Sequence, residues 1–149
     1  MQVLVLWIGK TRLPGVAALA QEYGKRLGRF CDFQAEEVRS KRKGKGGADL
    51  EAALLARSEA CYRVVLDPSG SRWTSEEFAG FLREFRDRGQ QSVAFCVGGA
   101  EGFSGQFRQK ADRLLSLSPM TLPHELARIV LLEQIYRAFT RLAHHPYPR

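Results

Sequence analysis

Hydrophobic and polar positions along this chain switch repeatedly between a two-residue and a three-to-four-residue period. Gln2–Ile8 (QVLVLWI) is a continuous β-branched and aromatic run and predicts a central strand. Gly9–Pro14 reads as a turn. Pro14 suits the first turn of a helix reaching about Arg26, with Val16, Leu19, Ala20, Tyr23 and Leu27 at helical spacing. Phe30–Val38 alternates, Cys31, Phe33 and Ala35 opposing Asp32, Gln34 and Glu36, as a half-exposed strand does. Ala48–Ala60 predicts a helix with Leu50, Ala53, Leu54 and Ala60 on one side. Tyr62–Asp67 (YRVVLD) predicts a strand ended by the turn Pro68-Ser69-Gly70-Ser71. Thr74 and Glu77 have capping-box spacing and open a helix whose inner stripe is Phe78, Phe81, Leu82 and Phe85; Gly89 stops it. Ser92–Val97 (SVAFCV) is a further strand, running into Gly98-Gly99-Ala100-Glu101-Gly102. Ser104–Arg113 reads as a short basic helix and Leu114–Leu117 as a buried strand. Ser118–Thr121 makes an irregular loop before Pro123 opens the longest helix, ending at Leu142. This alternation predicts an α/β fold, a mainly parallel sheet sandwiched by helices, in one domain over residues 1–149.

The last helix adds a second expectation. At about 100° per residue, Ala127, Ile129, Leu131, Leu132, Ile135, Tyr136, Ala138, Phe139 and Leu142 cover roughly 200° of arc. That is wider than one sheet face requires and suggests a subunit contact as well. Arg128 falls inside the arc, where a charge needs a partner or a function unless it reaches solvent from the helix start.

Charge changes the picture next. The chain has 23 Lys and Arg against 16 Asp and Glu, a net +7. Residues 1–47 hold ten of the cations and four of the acids, so nearly all the excess lies in the first third. Five cations sit in RSKRKGKGG, residues 39–47: Arg39, Lys41, Arg42, Lys43 and Lys45, with three glycines and no acid. Such a segment cannot bury enough surface to order itself, and it reads either as a solvated loop or as a contact for a nucleic-acid backbone. The run Val3–Ile8 is too short for a membrane span or a signal core, so a cytoplasmic chain with no membrane partner is expected. Cys31, Cys61 and Cys96 lack metal-ligand spacing and read as reduced thiols.

Candidate chemistry gathers in three loops, Asp67–Trp73, Gly98–Gly105 and Ser118–Pro123, which follow the third, fourth and fifth strands. Ligands of parallel α/β sheets bind at the carboxyl ends of strands, so these loops should converge on one crevice. The glycine run is neither GxGxxG nor a P-loop; as a pattern it fits a tight turn and a ligand loop equally. His124, His144 and His145 come without a carboxylate cluster, and no metal is expected. The tail AHHPYPR, residues 143–149, would ordinarily fray, yet it places two His, one Tyr and one Arg within seven residues.

Taken together, VLWIGK, VVLDPSG, VGGAEGF, LSLSPMTLPHELARIVLLEQIYRAF and the HPY tail resemble the RlmH family over essentially the whole chain. These are small SPOUT-class methyltransferases that modify a pseudouridine of large-subunit ribosomal RNA. The resemblance implies a C-terminal trefoil knot, a homodimer and S-adenosylmethionine as cofactor. It places the cofactor at Leu66, Gly98, Leu117, Ser118, Pro119, Met120, Thr121 and Leu122. It implies methylation at N3 of the pseudouridine in 23S ribosomal RNA on the ribosome, with the tail completing the partner's cofactor site. Tyr147 and Arg149 match the family's Tyr and terminal cation, whereas Pro148 stands where the family has His. Either that His is dispensable, or His144 or His145 handles the proton instead, or activity is altered; Tyr147 would position the base and Arg149 would bind phosphate or the deprotonated ring. The 39–47 loop is the expected RNA contact. The other reading is a non-catalytic RNA- or ribosome-binding protein on the same scaffold.

Overall fold

The structure is a computed structural model and describes residues 1–39 and 46–147. Lys41, Arg42, Lys43 and Lys45 of the expected RNA contact, and Pro148 and Arg149 of the tail, lie outside the described residues. Five strands, β1 (Gln2–Trp7), β2 (Asp32–Glu37), β3 (Tyr62–Arg72), β4 (Ser92–Val97) and β5 (Arg113–Ser116), pair in the order β2-β1-β4-β3-β5. Every pairing is parallel. Parallel neighbours need crossovers, and the helices supply them: α1 (Pro14–Leu27), α2 (Gly47–Arg57), α3 (Ser75–Asp87), α4 (Gly105–Arg108) and α5 (His124–Leu142).

The strand patterns follow from position in this order. β1 and β4 are interior and covered on both faces, so Val3, Leu4, Val5 and Leu6, like Val93, Ala94, Phe95 and Cys96, are at most 1 % exposed. β2 is an edge strand and alternates. Val3, Val5, Val64, Val93, Phe95 and Val97 face one core beneath α1, α3 and α5; Leu4, Leu6, Val65, Ala94 and Cys96 face a second, completed by Leu54 of α2 and Phe107 of α4.

The broad apolar arc of α5 is used within the chain. The helix lies against both α1 and α3, and Leu131, Leu132, Ile135 and Ala138 are fully buried. Each such large side chain contributes about 1.5–3 kcal/mol relative to an exposed position. Two helices and a sheet take up most of the arc, while Ala127, Ile129 and Leu142 stay half-buried.

Several expected boundaries shift for tertiary reasons. The helix expected over Ser104–Arg113 is one turn, Gly105–Arg108, because the Asp112 amide donates to the Arg63 carbonyl at 2.8 Å and its carboxylate accepts from the Arg63 amide at 2.7 Å. These bonds draw the chain into β5 early. β3 does not end at Asp67. Leu66 and Ser71 both align with Leu115, so residues 67–70 loop out and the strand resumes through Arg72. Local turn chemistry at Pro68-Ser69-Gly70 is obeyed, and pairing to β5 recruits Ser71 and Arg72 back into the strand.

Candidate active site at the carboxyl edge of the sheet

Of the three loops singled out in the sequence, Asp67–Trp73 runs through the bulge and resumed end of β3, and the other two follow β4 and β5; β4, β3 and β5 are consecutive neighbours in the sheet. Their carboxyl ends therefore lie side by side, as a ligand crevice requires. Leu66 is half-buried at the end of the regular part of β3. Beyond it the Asp67 carboxylate accepts from the Ser69 amide at 2.9 Å and from the Ser69 hydroxyl, with Arg108 Nη1 at 3.5 Å. Burial pushes this carboxyl up, but the two Ser69 bonds and the Arg108 guanidinium outweigh it and hold it below its ordinary value. The bulge is pressed onto β5. A Cβ at Gly70 would lie 2.5 Å from Leu114 C and Leu115 N, so no side chain fits.

After β4 the glycine loop closes on itself. Gly102, at φ +72°, donates its amide to Gly99 O at 3.0 Å, and a Cβ at Gly98 would meet Gly102 Cα and the Phe103 ring at 3.3 Å. Gly98 is thus fixed by the turn that returns over it. After β5 the buried Ser116 hydroxyl donates to Ser118 O at 3.1 Å, and Ser118 Oγ accepts from the Met120 amide at 2.9 Å. These bonds shape the Leu117–Leu122 loop. Leu117, Ser118 and Leu122 are half-buried, Pro119 and Thr121 exposed, and Met120 is 76 % exposed, the most open of the large hydrophobic side chains.

The tail residues lie elsewhere. α5 starts directly after the Leu117–Leu122 loop and runs 19 residues, about 27 Å at 1.5 Å per residue, before the tail begins. His144, at φ +55°, donates its amide to Arg141 O at 3.1 Å, and the His145 amide bonds Thr140 O at 2.8 Å. These two bonds close the helix in a Schellman arrangement, with His where glycine is usual. The exposed His145 ring meets Phe30 edge-on at 6.4 Å. Tyr147 is half-buried on the α1–α5 face, its ring 4.5 Å from Tyr136 and its hydroxyl 3.2 Å from that of Tyr23. Burial first, then the Tyr23 hydrogen bond, raises its phenol well above the ordinary value, so it stays protonated. Within one chain, the cofactor residues of the sequence analysis and the tail residues His144, His145 and Tyr147 are therefore at opposite ends of α5.

One polar element of the site was half legible. Arg128 is 2 % exposed and does not reach solvent. Its guanidinium donates to Thr11 Oγ1 at 3.0 Å, Ile8 O at 3.2 Å and Gly9 O at 3.1 Å, and stacks 5.2 Å from the Trp7 ring. One turn earlier, the buried Glu125 carboxylate accepts from the amides of Arg12 at 2.9 Å and Leu13 at 3.2 Å. The Leu13 amide foremost, with that of Arg12, holds this carboxyl below its ordinary value. The first two turns of α5 thus fasten the β1–α1 loop by its carbonyls and its amides. Glu125 was not singled out in the sequence; its place three residues before Arg128, on the same helix face, was the available signal.

Of the expected RNA contact, only Arg39 is described. It is exposed and pairs with Glu37 at 2.6 Å. Among the described residues, no group of three His, Cys, Asp or Glu side chains is placed to hold a metal, and no helix is long and apolar enough to cross a membrane.

A family model described as "Predicted SPOUT methyltransferase" matches residues 1–148. A protein of Geobacter sulfurreducens named Ribosomal RNA large subunit methyltransferase H is 39% identical over 99% of both chains. One of the same name from an Anaeromyxobacter species is 43% identical, again over 99% of each. Among solved structures, a probable methylase family protein from Haemophilus influenzae superposes with a TM-score of 0.63 at 11% identity, covering 99% of this chain and 70% of that one. A probable methyltransferase from Bordetella pertussis gives 0.61 at 16% identity, covering 92% and 95%. At that identity the structural likeness speaks for the fold alone, whereas the full-length relatives speak for the family. The chain belongs to the RlmH family of SPOUT methyltransferases.

Proposed function

We propose that this chain is an S-adenosylmethionine-dependent methyltransferase that methylates N3 of a pseudouridine in 23S ribosomal RNA. It acts as a cytoplasmic homodimer, one SPOUT domain per chain. The observation that carries this reading is the end-to-end identity of 39% to 43% with relatives named for methylating large-subunit ribosomal RNA. The convergence of three loops on one edge of the sheet supports it. The trefoil knot belongs to the same reading, as part of the family's fold.

The residues present fit the cofactor. Half-buried Leu66, Leu117 and Leu122 offer apolar surface for an adenine face, and the loop backbone offers amides and carbonyls for its edge. Gly98 lets residues 98–102 fold tightly over the β4 end, which leaves loop backbone for a ligand to meet. Pro119, Met120 and Thr121 remain exposed around that surface, and Ser118 is tied into the loop. Bound there, S-adenosylmethionine supplies a methyl group on an electrophilic sulfonium. The chain's task is to hold the base in line and take its N3 proton. Tyr147, kept protonated, is suited to positioning rather than accepting that proton. His145 is an exposed imidazole beside it and serves as acceptor, and Arg149 meets phosphate or the deprotonated ring. Because the tail stands about 27 Å along α5 from its own loop, these groups serve the site of a second copy.

Methyl transfer to ribosomes, read by mass spectrometry of the nucleosides, is expected to yield 3-methylpseudouridine. Pro148 in place of the family's His motivates the second reading, a ribosome-binding protein without catalysis. Calorimetry separates the two. Binding of S-adenosylmethionine supports the enzyme; ribosome affinity without it supports the second reading.

A further inference from the structure

The β1–α1 loop, Ile8–Leu13, has been given no ligand so far, yet the fold invests heavily in its shape. Five hydrogen bonds reach it from two α5 side chains, Glu125 and Arg128, which are 7 % and 2 % exposed. Burying a guanidinium and a carboxylate is costly unless they are bonded. Here the carboxylate and the two terminal guanidinium nitrogens bond the backbone and hydroxyl of one loop, and Arg128 Nε alone of these groups has no partner among the described residues. Gly9 completes the device. It sits at φ +97°, and a Cβ there would stand 3.7 Å from Arg128 Nη2.

What this clamp holds up is positive charge. Lys10 and Arg12 are exposed, and neither makes an ion pair among the described residues. The two carboxylates that favour the Arg128 charge electrostatically are both engaged: Glu125 is turned inward onto amides, and Glu37 pairs with Arg39. The loop also adjoins the crevice. The Ile8 amide bonds Val97 O at 3.2 Å, and a Cβ at Gly99 would meet Ile8 O at 3.9 Å. Two unneutralised cations on a fixed backbone thus flank the glycine loop of β4. Arg39 stands beyond them, at the end of the neighbouring strand β2.

We propose that the Ile8–Leu13 loop is a second RNA-backbone site, in which Lys10 and Arg12 bind phosphates flanking the target nucleotide. Glu125 and Arg128 act as positioning residues beneath it. The inference rests on the reading of the chain as a ribosomal RNA methyltransferase. The loop's backbone is held against the crevice by five hydrogen bonds from α5. A cation pair on such a fixed backbone sets the register of the strand it binds.

The test is binding to large ribosomal subunits across a salt series. The variants are Lys10→Ala/Arg12→Ala and, as a charge-matched comparison, Arg83→Ala/Arg88→Ala, exposed on α3 and its C-cap and away from the residues that hold the tail. The first should lower affinity and flatten the log–log salt slope by about 1.4, roughly 0.7 per phosphate of a single strand, with S-adenosylmethionine binding retained. The second should leave the slope unchanged. Equal effects of the two pairs, or none from the first while the wild type binds and methylates ribosomes, overturn this inference alone. A wild type that neither binds nor methylates ribosomes overturns the parent reading and this one with it.

Discussion

At the scale of single residues, the clamp beneath the β1–α1 loop makes a statement about pH. Glu125 has its folded carboxyl held below the ordinary value of 4.5 by two backbone amides, that of Leu13 foremost. A depressed acid contributes stability that is fully present above its unfolded value and is lost as pH falls through the folded one. Glu125→Gln keeps the shape and an acceptor oxygen but cannot titrate. Denaturant midpoints of the wild type should therefore exceed those of the variant above about pH 4.5, and the gap should close with further acidification. Asp67 is also depressed, but it is common to both proteins and cancels. A gap independent of pH would show that the carboxylate's charge is not what holds the loop. Arg128→Ala should be harsher. It strips three acceptors of their donor in a buried place, a loss of about 3 kcal/mol. Arg128→Lys restores the charge without the planar fork and should recover only part of it.

At the scale of elements, two glycines make opposite predictions from one substitution. A Cβ at Gly70 would stand 2.5 Å from the β5 backbone, which cannot yield as a side chain could. Gly70→Ala should cost about 1–3 kcal/mol or more and weaken S-adenosylmethionine binding, because the shift moves the strand that feeds the Leu117–Leu122 loop. Gly80, inside α3, has nothing within 4 Å of its would-be Cβ. Gly80→Ala should stabilise by about 0.5–1 kcal/mol, and thermal melts of the pair check both signs. The same contrast marks what the amino-acid pattern could reveal. Period and caps disclosed all ten elements, since the Thr74–Glu77 box and the β1 run carry their reasons locally. The three loops were legible because strand ends and glycine are. The resumption of β3 at Ser71 was not, because it depends on pairing with a strand more than forty residues away. Likewise the single turn of α4 is dictated by the Arg63–Asp112 bonds, which no local preference encodes. Arg128 announced itself as a misplaced charge, but its partners are mostly backbone carbonyls of a distant loop.

At the scale of the whole molecule, the decisive fact is the length of α5. Nineteen residues of helix separate the Leu117–Leu122 loop from the tail, about 27 Å, so Tyr147 cannot stand over its own chain's crevice without leaving Tyr23 and Tyr136 and the helix end behind. A two-fold pair of chains can bring each tail to the other's loop, which turns the geometry into a test by complementation. One variant, Gly98→Val, forces apart the glycine loop at the crevice, since a Cβ alone already meets Gly102 and Phe103 at 3.3 Å. The other, Tyr147→Phe, removes the tail's hydroxyl and keeps its packing. Each homodimer should methylate poorly. Unfolded together in equal amounts and refolded, the two should assort at random, and half the dimers would contain one of each. Every such mixed dimer holds one site with an intact loop and an intact partner tail, so activity should return to about a quarter of wild type. A tail acting on its own chain's loop predicts no recovery at all, since no protomer in the mixture carries both intact parts. The S-adenosylmethionine stoichiometry of the mixture gives an independent reading, because Tyr147→Phe should leave cofactor binding in place while Gly98→Val abolishes it.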